Sequence, residues 1–239
     1  MPYAEIPPTA ALRPWVECFW TVRDDGEIRE QRVLPDGCAD LIFDLAEGAG
    51  SAVGTMTRPI VVPAGGDFLG VRFKPGRAAA FLRIPLAEIT DARVPLADLW
   101  PSVILSEAKD LLCRTVEGSS FAALRMTRLE TFLLKRLRPD RDPRVDAAID
   151  RIIRGAERVE SIANDIGISR QHLARQFLYH VGVPPKTFAR VMRFRRVVDS
   201  LGGNVDWADV AAANGYYDQS HLIADFRELA GATPTAFQR

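Results

Sequence analysis

The sequence predicts an α+β protein of two domains, with a β-rich domain in residues 1–138 and an all-helical domain in residues 139–239. Three observations favour this fold class. Short apolar runs punctuated by Gly and Pro fill the first part of the chain, which is typical of strands and turns. Helical periodicity begins near Leu129. Residues 162–239 contain an internal repeat of a helical pattern.

Composition alone does not indicate a function. The 239 residues carry 31 basic and 31 acidic side chains, so the formal net charge is zero. Three scattered cysteines, Cys18, Cys38 and Cys113, favour a reducing compartment over a disulfide framework. The N-terminus lacks the pattern of a signal peptide, and no apolar run approaches the ~18 residues of a membrane span. We therefore expect a cytoplasmic protein with no membrane partner.

The N-terminal domain is predicted to be a barrel or sandwich of short strands. A turn signal at residues 35–37 separates the apolar pair 33–34 from the apolar run Leu41–Phe43. The run Phe68–Phe73 alternates in part, and a helix is predicted over Arg77–Leu82.

The domain boundary is placed at a charged segment between Pro139 and Pro143. A predicted helix precedes it, with four apolar residues on one face: Leu129, Phe132, Leu133 and Leu137. This face would pack either on a second copy of the chain or on the chain's own core, and the sequence leaves both alternatives open.

The C-terminal domain contains two copies of one pattern. Nine positions of the first copy recur 48 or 49 residues later with matching gaps, and one residue is inserted after the glycine. The paired positions are Ile162 and Val210, Ala163 and Ala211, Gly167 and Gly215, Leu173 and Leu222, Phe177 and Phe226, Gly182 and Gly231, Pro185 and Pro234, Phe188 and Phe237, and Arg190 and Arg239.

Each copy predicts a helix-turn-helix unit. A short helix ends at a glycine that can adopt the left-handed conformation, and Ser169 or Asp218 then caps a second helix. The second helices are predicted at about 169–180 and 218–229, and a longer helix from Lys186 to about Leu201 joins the copies. The alternative is a pair of helical hairpins in an interaction protein that does not bind DNA.

Charge distinguishes the two copies. Residues 166–198 contain seven basic and no acidic side chains, whereas residues 199–239 contain two basic and six acidic ones. A basic run without counter-charge favours phosphate binding, so we expect the first copy to supply most of the affinity. His180 is expected at the surface. The predicted DNA-binding residues are Ser169, Arg170, Gln171, Arg175, Lys186 and Arg190 in the first copy, and Asp218, Gln219, Ser220 and His221 in the second.

Residues 144–239 resemble the DNA-binding domain of the AraC/XylS family of transcription regulators. The resemblance is carried by SIANDIGISRQHLARQFLYHVGVPPKTFAR and DVAAANGYYDQSHLIADFRELAGATPTAFQR. It implies two recognition helices that enter successive major grooves of double-stranded DNA. It places Gln171, Ala174 and Arg175 of the first helix, and Gln219, Ser220 and Ala224 of the second, where bases are read. An activator of this family would also contact RNA polymerase.

The N-terminal domain is similar to the cupin-like sensor domains that precede such DNA-binding domains. The matching segments are VECFWTV, VLPDGCADLIF and FLGVRFKPGRAAAFL. This implies control by a small-molecule effector or by homodimerisation. The candidate ligand-binding residues are Trp20, Arg72, Phe73 and Lys74, and the Arg72 and Lys74 pair would suit an anionic ligand.

The alternative of a cupin-type enzyme with a DNA-binding tail is disfavoured. Cupin metal sites use two or three histidines, and no histidine precedes His172. Cys38 has no nearby histidine in sequence to activate it as a nucleophile. We therefore expect no catalytic residue, metal or cofactor. Residues 103–127 resemble a repeated element of unrelated bacterial reading frames and are expected to carry little function.

Overall fold

The computed structural model describes residues 3–23, 30–63, 65–100, 119–139, 142–155, 158–202 and 206–238. Most of the segment 103–127 that resembles a repeated element lies outside the described residues. The strands are β1 (Tyr3–Ile6), β2 (Val16–Val22), β3 (Glu30–Val33), β4 (Ala39–Asp44), β5 (Ala49–Val53), β6 (Ile60–Pro63), β7 (Phe68–Phe73) and β8 (Arg93–Pro95).

The longer helices lie in the second half of the chain. The first part of the chain holds α1 (Ala79–Leu82), a 3₁₀ helix (Leu86–Ile89), α2 (Leu96–Leu99) and α3 (Ser119–Arg136). The second part holds α4 (Pro143–Arg154), α5 (Val159–Asp165), α6 (Arg170–His180), α7 (Pro185–Ser200), α8 (Trp207–Ala213), α9 (Gln219–Leu229) and α10 (Pro234–Phe237). The predicted α+β class is confirmed.

The N-terminal strands form two antiparallel sheets. Six strands are ordered β1-β2-β7-β4-β5-β8, and β3 pairs with β6 in a separate ribbon. No ladder joins β1 to β8 among the described strands, so the larger sheet is open, and of the two predicted architectures the closed barrel is not formed by these strands. Closure depends on pairing between strands that are distant in sequence, which local apolar patterns do not encode.

One face of the six-stranded sheet carries the N-terminal core. Phe19, Leu41 and Val71 lie on this face and are fully buried. Helix α3 covers the core with Leu129, Phe132 and Leu133, and Leu137 packs at its edge. The four apolar residues of the predicted helix therefore pack on the chain's own core, which confirms one of the two alternatives.

A second core lies among the helices of the C-terminal part. It includes Val145 of α4, Phe177 of α6, Phe194 of α7 and Phe226 of α9. Helix α4 begins after Asp142, whose side chain accepts a hydrogen bond from the Arg144 amide. The two cores touch, because Tyr179 packs against the N-terminal core and Leu34 packs against the C-terminal one.

Candidate nucleic-acid interface

The first repeat folds as a helix, a tight turn and a second helix. Helix α5 ends before Gly167, whose φ of 69° lies in the left-handed region that glycine tolerates. Ser169 Oγ accepts a hydrogen bond from the His172 amide at 3.1 Å and so caps α6. Leu173 and Phe177 are buried and hold α6 on the core. The predicted cap, turn and helix are present within one residue of their predicted positions.

The second repeat has the same construction. Gly215 has φ of 75° after α8, and Asp218 Oδ1 accepts a hydrogen bond from the His221 amide at 2.7 Å. Leu222 and Phe226 are buried as the equivalents of Leu173 and Phe177. The long helix α7 joins the two units, as predicted.

The solvent faces of α6 and α9 differ in charge. Arg170, Gln171 and Arg175 are exposed on α6, whereas Gln219 and Ser220 are exposed on α9. The first recognition helix therefore presents two cations beside an amide, whereas the first turn of the second presents neutral polar groups. Ala174 is half-buried, and Ala224 is exposed.

His172 and His221 lie beside arginines. Arg175 Nη2 is 3.1 Å from His172 Nδ1, and Arg193 Nη2 is 3.2 Å from His221 Nε2. The His221 ring also meets the Tyr216 ring edge-on at 5.2 Å. Both imidazoles therefore have contacts within the chain. His180 is only 6% exposed, so its predicted surface position is wrong. It lies seven residues after Leu173 and continues the buried stripe of α6.

Most cations of the basic run have partners within the chain. Each partner lies on another element or on a later turn of the same helix. All of them fall outside residues 166–198, the stretch that contains no acidic side chain. Among the described residues, Arg170 and Arg175 form no salt bridge within 4 Å. The paired cations are Lys186 with Glu160, Arg190 with Asp225 and Glu228, Arg193 with Asp225, Arg195 with Asp199 and Asp36, and Arg196 with the carbonyl oxygen of Ile153.

Asp225 is a site residue that the sequence prediction missed. It is 3% exposed, although it is acidic. Its position three residues after Leu222 and one before Phe226 places it on the apolar stripe of α9. An acid on such a stripe needs a buried partner, and this signal marks Asp225 in the sequence without identifying the arginines that pair with it. Tyr217, which is 92% exposed beside the cap of α9, was also missed.

Of the four candidate ligand-binding residues, the structure brings together only two. Phe73 is fully buried in the N-terminal core. Trp20 lies on the opposite sheet face, stacks on Tyr3 and covers Gly70. Arg72 and Lys74 line a cleft of about 370 Å³ between the sheet and helices α4 and α7. The same cleft is lined by Cys18, Cys38, Met192 and Arg195.

The cleft is mixed in charge. Arg72 Nε lies 3.4 Å from Asp40 Oδ1 and 3.7 Å from Asp36 Oδ2. Burial raises the pKa of Asp40 to about 6, although the Arg72 guanidinium opposes this shift. Asp36 also lies 3.8 Å from Arg195 of α7. Since Arg72 already has two acidic neighbours, it is not the free cation that the sequence suggested for an anionic ligand.

The N-terminal domain contacts both helix-turn-helix units at equivalent places. Thr55 Oγ1 donates a hydrogen bond to the Val181 carbonyl after α6. Arg32 Nη1 donates a hydrogen bond of 3.0 Å to the Ala230 carbonyl after α9. Val181 and Ala230 are 49 residues apart and occupy the same position in the two repeats. Thr90 Oγ1 adds a hydrogen bond of 2.8 Å to the Gly182 carbonyl.

Two protein-family models match parts of the chain. A family described as a helix-turn-helix domain matches residues 162–239, which span both units. This chain carries an AraC-type DNA-binding domain. The predicted resemblance to AraC/XylS regulators is thereby confirmed, and the chain is a DNA-binding transcription regulator. Residues 4–95 of this chain match a domain of unknown function, DUF6597.

Among solved structures, this chain is similar to ToxT from Vibrio cholerae. An apo ToxT structure is 11% identical with a TM-score of 0.45, covering 92% of this chain and 96% of ToxT. A ToxT structure bound to (E)-4-(8-methylnaphthalen-1-yl)but-3-enoic acid is 12% identical with a TM-score of 0.43, covering 92% of this chain and 98% of ToxT. No curated protein matches the chain significantly.

The described residues contain no helix that is both long and apolar enough to cross a membrane. They also contain no group of three or more His, Cys, Asp or Glu side chains arranged to hold a metal ion.

Proposed function

We propose that this regulator reads two successive major grooves with α6 and α9, and that α6 supplies most of the affinity. The observation that carries the proposal is that each unit buries its Leu and Phe anchors and leaves a polar face exposed. On α6, Arg170 and Arg175 have no acidic partner among the described residues and remain available to DNA. Arg suits guanine, and Gln171 suits adenine, in the major groove.

The proposed DNA contacts divide between bases and backbone. Gln171 and Arg175 of the first unit, and Gln219 and Ser220 of the second, are proposed to face base edges. Groups near the helix N-termini are proposed to contact phosphate, because exposed amides there attract anions. These backbone candidates are Ser169, Arg170, Lys186, Arg190, Asp218 and His221. Lys186 must give up its salt bridge with Glu160 to bind phosphate, so we expect its contact to be weaker than that of Arg170.

A salt series on duplex DNA tests this proposal. Arg175→Ala is expected to weaken selective binding by about 1–3 kcal/mol, the value of a bidentate base contact. Gln219→Ala is the matched variant on α9 and is expected to cost less. Equal losses would contradict the asymmetry and leave the regulator intact. Absence of binding by the folded full chain and by the fragment 140–239 would contradict DNA binding itself.

We further propose that the N-terminal domain, residues 1–138, controls the DNA-binding domain, residues 139–239. An effector in the cleft would touch the sheet through Arg72 and Lys74 and touch α7 through Met192 and Arg195. The mixed charge of the lining favours a small polar molecule with both donor and acceptor groups. Any ligand that changes DNA affinity must bind the two states of the protein differently.

We also propose that the protein forms a homodimer and, if it is an activator, contacts RNA polymerase. We propose a cytoplasmic location, since the DNA of bacteria lies in the cytoplasm. Sedimentation of the full chain with and without operator DNA tests the dimer. A single molecular mass equal to that of one chain under both conditions would contradict it.

A further inference from the structure

Helix α7 and the second recognition helix α9 are joined by a buried ionic network. Arg190 Nε donates a hydrogen bond of 2.6 Å to Asp225 Oδ1, and Arg193 Nη2 donates one of 3.1 Å to Asp225 Oδ2. The Asp225 side chain is only 4% exposed, so both bonds exclude most water. Because a buried carboxylate between two guanidinium groups is strongly held, this contact fixes the orientation of α9 on α7.

Arg193 has two further contacts besides Asp225. Its guanidinium lies 4.3 Å from the centroid of the Tyr216 ring, in a cation–π arrangement. One of its nitrogens is 3.2 Å from His221 Nε2. His221 in turn carries the amide that Asp218 caps. The network therefore connects α7 to the first turn of α9, where the proposed base-reading residues Gln219 and Ser220 lie.

The first unit has no counterpart to Asp225. The equivalent position in α6, 49 residues earlier, is Gln176. The cations on the face of α6, Arg170 and Arg175, have no acidic partner within 4 Å among the described residues. An internal acid that binds two arginines is thus specific to the second unit.

We infer that Asp225 is a positioning residue that withholds Arg190 and Arg193 from the DNA backbone and directs α9 to its groove. The inference rests on the proposed function and narrows it, because it moves Arg190 from phosphate contact to helix positioning. The second unit would then select DNA mainly by shape and neutral polar contacts. Sequence-independent attraction would come chiefly from the first unit.

The test uses the salt dependence of binding by the full chain to a random-sequence 40-base-pair duplex. Each phosphate that the protein neutralises contributes about 0.9 to the slope of log K against log salt concentration. Asp225→Asn keeps the shape of the side chain and removes its charge. The inference predicts a slope steeper by about one to two, because one or both arginines reach phosphate. It also predicts a roughly tenfold smaller preference for a duplex selected from a random pool.

Two variants separate positioning from general loss of negative charge. Asp209→Asn removes one exposed carboxylate of α8 that no arginine of α7 contacts, and the slope is expected to change little. Arg193→Gln alone is expected to leave the slope unchanged, since Arg193 does not touch DNA in the wild-type protein. The double variant Asp225→Asn with Arg193→Gln is expected to lose part of the steepening.

Two outcomes would overturn the inference. A slope shallower by about one in Arg193→Gln would mean that Arg193 already binds phosphate. An unchanged slope in Asp225→Asn, with circular dichroism showing a folded protein, would mean that the arginines stay where they are without the carboxylate. If Asp225→Asn does not fold, the result with Arg193→Gln decides alone. If the wild-type protein binds no duplex at low salt, the proposed function fails as well, and the two failures are distinguishable.

Discussion

Thr55 Oγ1 donates a hydrogen bond of 2.5 Å to the carbonyl oxygen of Val181, which lies 126 residues later in the chain. Thr55 is 2% exposed and Val181 is 1% exposed, so the bond is fully internal. It ties the N-terminal sheet to the turn that follows the first recognition helix. The presentation of α6 is therefore linked directly to the packing of the N-terminal domain.

Replacing Thr55 by Val tests the strength of this link. The methyl group fills the space of the hydroxyl but leaves the Val181 carbonyl without its donor, and such a buried unpaired group costs about 1–3 kcal/mol. We expect a loss of that size in urea unfolding. Thr131→Val is the matched control, because its exposed hydroxyl donates to the Thr127 carbonyl of its own helix and does not join the two domains. A loss equal to that of the control would show that the bond contributes little.

Gly37 of the N-terminal domain packs closely against helix α7 of the C-terminal domain. A Cβ at this position would lie 2.5 Å from Met192 Cε and 2.8 Å from Phe188 Cε2 of α7. Gly37→Ala is expected to destabilise the protein through backbone strain, about 1–2 kcal/mol at its φ of 77°, and through this clash. Gly48→Ala has the same strain at φ of 66° and no atom within 4 Å. The difference between the two unfolding free energies measures the clash, and equal losses would mean that α7 moves aside without cost.

The raised pKa of Asp40 leads us to expect that the free energy of unfolding depends on pH. Its pKa in the folded protein, about 6, is above the ordinary value because the carboxyl is buried. The folded state therefore binds more protons than the unfolded state between about pH 4 and 6, so stability falls as pH rises through this window. The fall attributable to Asp40 is at most about 3 kcal/mol, at about 1.4 kcal/mol per pKa unit. Urea unfolding of the wild type and Asp40→Asn at several pH values measures it. Parallel pH profiles would contradict the raised pKa.

Ser169→Ala tests the cap of the first recognition helix. Removing a serine N-cap costs about 1 kcal/mol, because the His172 amide loses its acceptor. Ser161→Ala is the control, since Ser161 is exposed inside α5 and alanine is the better helix former there. We expect Ser169→Ala to melt at a lower temperature than the wild type, and Ser161→Ala to melt at the same or a higher one. The reverse order would mean that the cap does not stabilise α6.

The local features of the C-terminal domain were predictable from the sequence. Ser169 and Asp218 cap the expected helices, and Gly167 and Gly215 take the left-handed conformation, because caps and turns depend on neighbouring residues. The acidic partners of the arginines in helix α7 were not predictable in the same way. The acid that neutralises Arg193 lies 32 residues later, and only the folded arrangement of α7 and α9 brings it close.

The N-terminal site was less predictable for a similar reason. Strand alternation places Arg72 and Phe73 on opposite faces of β7, so these neighbours could not share a pocket. Phe73 lies in the core, and Arg72 lies at the cleft. The partners of Arg72 come from the turn before β4 and from β4 itself, and the far wall of the cleft comes from α4 and α7. Neither sequence position nor residue type indicated that these elements meet.

The hydrogen bonds from Thr55, Thr90 and Arg32 to the helix-turn-helix units all end on backbone carbonyls. A carbonyl persists whatever side chain occupies residues 181, 182 or 230, and the proposed base-reading side chains lie on other positions. Mutations that alter the recognition of DNA can therefore accumulate without disturbing these bonds. The chain can therefore change the DNA sequence that it reads while it keeps the contacts that join its two domains.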